Sequence, residues 1–70
     1  MAFIAQARGL LYEDVSQADA LATWRYAAQR VGECWSQHLS APRTERRQTF
    51  ATYVAALDIE AAAAADLAAT

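Results

Sequence analysis

Residues 50–69 read FATYVAALDIEAAAAADLAA, a stretch without glycine, proline, lysine, arginine or asparagine. Alanine has the highest intrinsic helix propensity, so this segment should be helical in almost any surroundings. Alanine side chains are also too small to fill a core by themselves, and they are most useful where the backbone of another helix approaches closely. The stretch therefore predicts a helix that packs against other helices, and it contains no visible catalytic motif.

Two positions divide the rest of the chain into helical segments. Ser16 is a suitable N-cap, and Pro42 is tolerated only in the first turn of a helix. We expect a single all-α domain, residues 1–70. Its helices should cover about residues 2–12, 17–39 and 43–68. Because the last connection is short, the two long helices should form an antiparallel hairpin, and the short N-terminal helix should pack on that hairpin or on a second subunit.

Apolar residues recur at three- and four-residue spacing in both halves of the expected hairpin, which predicts one apolar stripe on each helix. The stripe residues are Leu21, Trp24, Ala28, Val31, Trp35, His38 and Leu39 on the first helix, and Phe50, Tyr53, Val54, Leu57, Ala61, Ala64, Leu67 and Ala68 on the second. With a turn at residues 40–42, facing stripes would place Trp24 near Leu57 and Val31 near Phe50.

The last helix carries a second row of small or apolar residues where a solvated face would carry charges. We assign this row to a dimer interface, and it consists of Ala55, Ala56, Ile59, Ala62 and Ala63. A chain of 70 residues lies near the lower limit of what one hydrophobic core stabilises. Its single cysteine, Cys34, excludes an internal disulfide. We therefore expect a homodimer that forms a helical bundle.

Few residues could support catalysis or bind a metal. Cys34 and His38 lie one helical turn apart, but zinc sites use three or four protein ligands and the sequence has no second cysteine or histidine. Only a symmetric dimer could complete a site with two cysteines and two histidines, and the simpler interpretation places both residues at or near the core. The pair could form at most an incomplete catalytic dyad. We expect no enzyme activity, no catalytic residue, no cofactor and no metal.

Three arginines at the start of the last helix form the main basic feature. Arg43, Arg46 and Arg47, named here the Arg cluster, occupy positions where the helix dipole disfavours positive charge. One interpretation is that they pair with Glu33 near the end of the preceding helix. The other is that they bind an acidic protein surface or phosphate groups.

Tyr26 lies off the apolar stripe and close to Arg30, and both residue types are frequent at interface hot spots. We assign Tyr26, Arg30 and the Arg cluster to partner binding. The expected function is a small non-enzymatic interaction module, an adaptor or inhibitor that binds a larger protein. The alternative is a small DNA-associated regulator that contacts phosphates through the Arg cluster, although a net charge of −2 disfavours nucleic acid.

No segment approaches the roughly 20 apolar residues that cross a bilayer. The N-terminal segment MAFIAQARGLL lacks the pattern of a secretory signal. We expect a cytoplasmic protein without membrane contact. The chain uses arginine and no lysine, a bias typical of GC-rich genomes, and it is compatible with a bacterial or phage origin.

Overall fold

The computed structural model describes the backbone of residues 2–70 and the side chains of residues 16–70. Within these residues the chain forms two α-helices, α1 (Ala2–Ser40) and α2 (Arg46–Ala69). A single 3-10 turn, Arg43–Glu45, precedes α2. No strand occurs in residues 2–70. The all-α hairpin predicted from the sequence is confirmed.

α1 passes through the boundary predicted at Ser16, so the helix expected at residues 2–12 is continuous with the helix that follows. The backbone offers a reason, because no glycine or proline lies between residues 10 and 31. A good N-cap residue does not end a helix by itself when the residues on both sides favour helix. The packing of the side chains of residues 2–12 lies outside the described residues.

The connection between the helices is longer than predicted. Pro42 has an extended backbone (φ −59°, ψ 153°), and its carbonyl oxygen accepts a hydrogen bond from the N–H of Glu45 at 2.9 Å. The N–H of Ala41 donates to the carbonyl oxygen of His38 at 3.3 Å. The turn therefore extends from Ala41 to Glu45 and delays the start of α2.

Two hydrogen bonds, one at each end of the hairpin, define how the helices are aligned. Near the turn, Nδ1 of His38 lies 3.0 Å from Oγ1 of Thr49, and at the open end Nε2 of Gln17 donates to the carbonyl oxygen of Thr70 at 3.3 Å. The two contacts are 21 residues apart on each helix (17 to 38 and 49 to 70), which is three heptads. The helices therefore stay in step along the whole paired region.

This alignment corrects the predicted register. It places Trp24 opposite Ala63, six residues along α2 from the predicted neighbour Leu57. The difference arises because the turn continues to Glu45, so that every residue of α2 is displaced relative to α1.

Small residues form the seam between α1 and α2. The most buried side chains are those of Cys34, Ala27, Ala63 and Ala56, with exposed fractions of 1%, 4%, 6% and 8%. The buried and half-buried positions recur at alternating three- and four-residue spacing, as in a coiled coil. They are Ala20, Trp24, Ala27, Val31, Cys34 and His38 on α1, and Thr49, Tyr53, Ala56, Glu60, Ala63 and Leu67 on α2. This seam lets the two backbones approach closely.

The predicted stripes were therefore wrong by one row of the helical surface. They combine one row of the seam with a flanking row that contains Phe50 and Leu57, both of which are exposed. Two isolated helices can enclose only a narrow strip of each other, and that strip packs most closely when it consists of small residues. The larger apolar residues consequently remain outside.

The contact between His38 and Thr49 should stabilise the turn end of the hairpin. Oγ1 of Thr49 also donates to the carbonyl oxygen of Arg46 at 3.1 Å, so both hydrogen bonds coexist only when His38 carries its proton on Nδ1. We expect Thr49→Val to lower the free energy of unfolding by about 1 kcal/mol. The matched control is Thr52→Val, whose hydroxyl bonds only to the carbonyl of Gln48. Equal melting temperatures for the two variants would contradict the role of His38.

Candidate functional site

One side of the hairpin exposes large apolar side chains from both helices. This surface, named here the Trp35 face, consists of Trp35, Leu39, Phe50, Val54 and Leu57, with exposed fractions of 42%, 62%, 50%, 40% and 36%. On each helix these residues are three, four or seven positions apart, so they lie on one side of that helix. The large residues predicted for a core thus form an exposed surface instead, which the sequence alone did not reveal.

Aromatic contacts hold the Trp35 face together near the turn. The ring centroid of Trp35 lies 4.9 Å from that of Tyr53 and 5.6 Å from that of His38. The Phe50 ring lies 5.5 Å from His38 and 6.2 Å from Tyr53. All four contacts are tilted, within the separations at which aromatic pairs attract each other. The aromatic half of the face is therefore a defined surface that joins α1 and α2.

The other side of the hairpin contains a groove of about 250 Å³. Its lining consists of Tyr26, Ala27, Arg30, Cys34, Thr52, Ala55, Ala56 and Ile59. We name it the Ile59 groove. Its floor is apolar because it is formed by seam residues, and its rim carries Tyr26 and Ile59, which are 69% and 64% exposed. The size suits a single apolar side chain.

Charge enters the Ile59 groove through Arg30. Nη1 of Arg30 lies 2.8 Å from Oε2 of Glu33 in an ion pair, and Nε2 of Gln29 donates to the other carboxylate oxygen at 3.3 Å. The hydrogen bond to Glu33 raises the pKa of the Arg30 guanidinium above its usual value. Arg30 therefore stays positively charged beside the groove, although its neighbour Glu33 offsets part of that charge.

The Arg cluster lies at the turn, on exposed residues of the 3-10 turn and the first turn of α2. The predicted pairing with Glu33 is not observed, since Glu33 contacts Arg30 and Gln29. Among residues 16–70 no carboxylate lies within ion-pair distance of the cluster. The alternative in which the cluster serves only to neutralise Glu33 is therefore wrong.

The predicted partner-binding residues do not form one site. Tyr26 and Arg30 share the Ile59 groove, whereas the Arg cluster begins at residue 43, beyond the end of α1. The axial distance from Arg30 to Ser40 alone is about 15 Å at the helical rise of 1.5 Å per residue. A partner that contacts both regions would have to lie along the hairpin.

The predicted dimer interface is divided by the fold. Ala56 and Ala63 are buried in the seam of their own chain, while Ala55, Ile59 and Ala62 are exposed on the side of the groove. Ala56 and Ala63 are therefore corrected to hairpin residues. The row looked unpartnered in the sequence because the predicted seam was rotated away from it.

Cys34 and His38 are neighbouring seam residues. With only 1% of its surface exposed, Cys34 is enclosed by its own chain, which leaves it no access to a second subunit for a shared metal site. In the part of the chain with described side chains, no group of three cysteine, histidine or acidic residues could hold a metal ion. None of the described helices is long and apolar enough to cross a membrane.

Comparison with protein-family models, with curated proteins and with solved structures gave no significant match. The functional argument therefore depends on the geometry of this chain, and in particular on the Trp35 face, the Ile59 groove and the Arg cluster.

Proposed function

We propose that this chain is a small non-enzymatic interaction module, an adaptor or inhibitor that acts as a homodimer in the cytoplasm and binds a larger protein. One observation carries the proposal: the hairpin buries its small residues and exposes its large apolar ones. A monomeric domain normally does the opposite, and exposed apolar patches rimmed by polar residues are typical of interaction sites.

The Ile59 groove is the surface that we assign to the larger partner. Its apolar floor and its rim of Tyr26, Ile59 and Arg30 resemble the composition of interface hot spots, where aromatic and arginine side chains surround a desolvated pocket. The occupant that fits is an apolar side chain presented by a helix of the partner, in the manner of helix-in-groove recognition.

Site-specific photo-crosslinking in the native host tests this assignment. A photoreactive amino acid at Tyr26 should form an adduct heavier than the dimer, and Ala55→Arg, which fills the groove, should abolish it. The same probe at Ala65, an exposed residue outside the groove, is the positional control. Adducts that consist only of this chain, or an adduct unaffected by Ala55→Arg, would contradict the proposal.

The second candidate function is a small DNA-associated regulator. It is favoured by one observation, the exposure of the Arg cluster without a carboxylate partner among residues 16–70. Three arginines could neutralise a few phosphates, which gives weak binding that depends strongly on salt. The net charge of −2 opposes such binding over the rest of the surface.

Replacing the Arg cluster with glutamine distinguishes these candidates. We expect the triple variant to melt within a few degrees of the wild type, because exposed charges contribute at most about 1 kcal/mol each and these three oppose the helix dipole. If the partner is an acidic protein surface, association should slow while the melting temperature holds. If the partner is DNA, fluorescence anisotropy on a labelled duplex should show a smaller salt dependence than for the wild type. A triple variant that unfolds would show that the cluster is structural.

A further inference from the structure

The area of the hairpin indicates that a large surface is available for association. The accessible surface is 5701 Å², whereas a compact monomer of 7.6 kDa would expose about 4,300 Å² by the usual scaling with mass. The excess of about 1,400 Å² exceeds the roughly 800 Å² that each partner contributes to a stable interface. The radius of gyration of 18.0 Å, against about 11 Å for a compact chain of this length, reflects the same elongation.

From the sizes and charges along the hairpin we infer that the Trp35 face binds a second copy of the chain, with the turn of one hairpin beside the open end of the other. This inference rests on the dimer proposed above and adds its surface and its orientation. The product would be a four-helix bundle in which the Ile59 groove of each copy remains free for the larger partner.

The first argument is complementarity of size. The aromatic and aliphatic residues of the Trp35 face lie in the half of the hairpin near the turn. The continuation of the same side toward the open end carries mostly small residues, namely Ala28, Ala61, Ala64 and Ala68, with Leu21 half-buried among them. An antiparallel pair of hairpins places the large half of each copy on the small half of the other. A parallel pair would crowd the large halves together and leave a gap between the small ones.

The second argument is complementarity of charge. The Arg cluster lies at the turn, while Asp19, Asp58 and Asp66 lie farther toward the open end, all exposed. The antiparallel arrangement brings the cluster toward the acidic half of the second copy. The parallel arrangement would bring the two Arg clusters together, and like charges in proximity repel each other.

The third argument is Gly32, which interrupts α1 on the same side as Leu39, seven positions away. A Cβ built at Gly32 would meet no atom within 4 Å, so nothing in the hairpin requires a glycine there. Glycine inside a helix is unfavourable relative to alanine. The missing side chain is explained if another helix approaches closely at this position.

A matched pair of substitutions tests the surface. Leu39 and Ile59 are 62% and 64% exposed and lie on opposite sides of the hairpin. In sedimentation equilibrium the wild type should have about twice 7.6 kDa. Leu39→Glu should raise the dissociation constant of the dimer at least tenfold, and Ile59→Glu should change it less than twofold. Gly32→Ala should weaken the dimer while raising the helical content of the monomer, which separates loss of the interface from loss of folding.

Each outcome has a distinct meaning for the two proposals. A monomeric wild type would overturn both the dimer and the assignment of its surface. Dissociation by Ile59→Glu with no effect of Leu39→Glu would retain the dimer and overturn the Trp35 face. The adduct at Tyr26 tests the larger partner separately, because Tyr26 lies on the side of the Ile59 groove.

Spin labels test the orientation. In a Cys34→Ala background, labels at Arg47→Cys and Asp58→Cys probe the turn end and the middle of the hairpin. Residues 47 and 58 are separated by about 16 Å along α2, so an antiparallel dimer centred near Asp58 places the two labels at position 47 about 33 Å apart axially. Electron–electron double resonance should therefore give a long distance at position 47 and a short one at position 58. Short distances at both positions would overturn the antiparallel arrangement.

Discussion

Ala63→Glu is expected to open the hairpin. Ala63 is 6% exposed and lies opposite Trp24 in the seam, so the new carboxylate would be buried without a partner. Burying an unpaired polar or charged group costs at least about 2–3 kcal/mol, and the backbones must also separate to make room. Because a 70-residue chain has only a few kcal/mol of stability, the variant should be largely unfolded at 25 °C.

The control for this variant is Ala65→Glu. Ala65 is exposed, and glutamate has nearly the helix propensity of alanine, so the change should cost less than about 0.5 kcal/mol. Circular dichroism during thermal unfolding compares the two directly. If Ala63→Glu melted together with Ala65→Glu, the seam would not contain Ala63 and the alignment of the helices would be wrong.

The second large effect is expected for Trp24→Ala. Trp24 is the largest side chain in the seam, and it is half-buried at the open end, where its neighbours across the seam are small. Truncation of a fully buried tryptophan costs about 3–5 kcal/mol, so for this half-buried residue we expect about 2–4 kcal/mol. Urea unfolding followed by circular dichroism should show a clear loss of stability.

Tyr26→Ala is the matched aromatic control for Trp24→Ala. Its side chain is 69% exposed, so truncation should cost less than about 1 kcal/mol. Equal losses for the two variants would mean that Trp24 contributes no more than a surface residue. Tyr26→Ala should instead reduce binding of the larger partner, since Tyr26 lines the Ile59 groove.

The helices and the hairpin could be predicted from local features of the sequence. The alanine-rich stretch determines α2 through propensity, and Pro42 marks the connection, because both effects act within a few residues. The boundary at Ser16 could not be excluded in the same way. A cap residue is compatible with a helix end and also with a continuous helix, and only the surrounding residues decide between them.

The seam and the register depend on contacts that a periodic pattern does not specify. The stripe rule selects the largest apolar residues, such as Phe50 and Leu57, whereas closest packing of two helices selects Ala56 and Ala63. The Ile59 groove could not be predicted either, because it forms only when seam residues of both helices come together. The Arg cluster was visible in the sequence, yet the pairing of Glu33 with Arg30 became apparent only from the distances.

The central claim is that the hairpin encloses small residues and leaves its large apolar residues outside. Nuclear Overhauser contacts between the Trp24 indole and the Ala63 methyl group test it most directly, with isotope filtering to retain only contacts within one chain. The register predicts a strong contact from Trp24 to Ala63, together with contacts from Trp35 to Tyr53. Intramolecular contacts from Trp24 to Leu57, without any to Ala63, would contradict the seam and the surfaces derived from it.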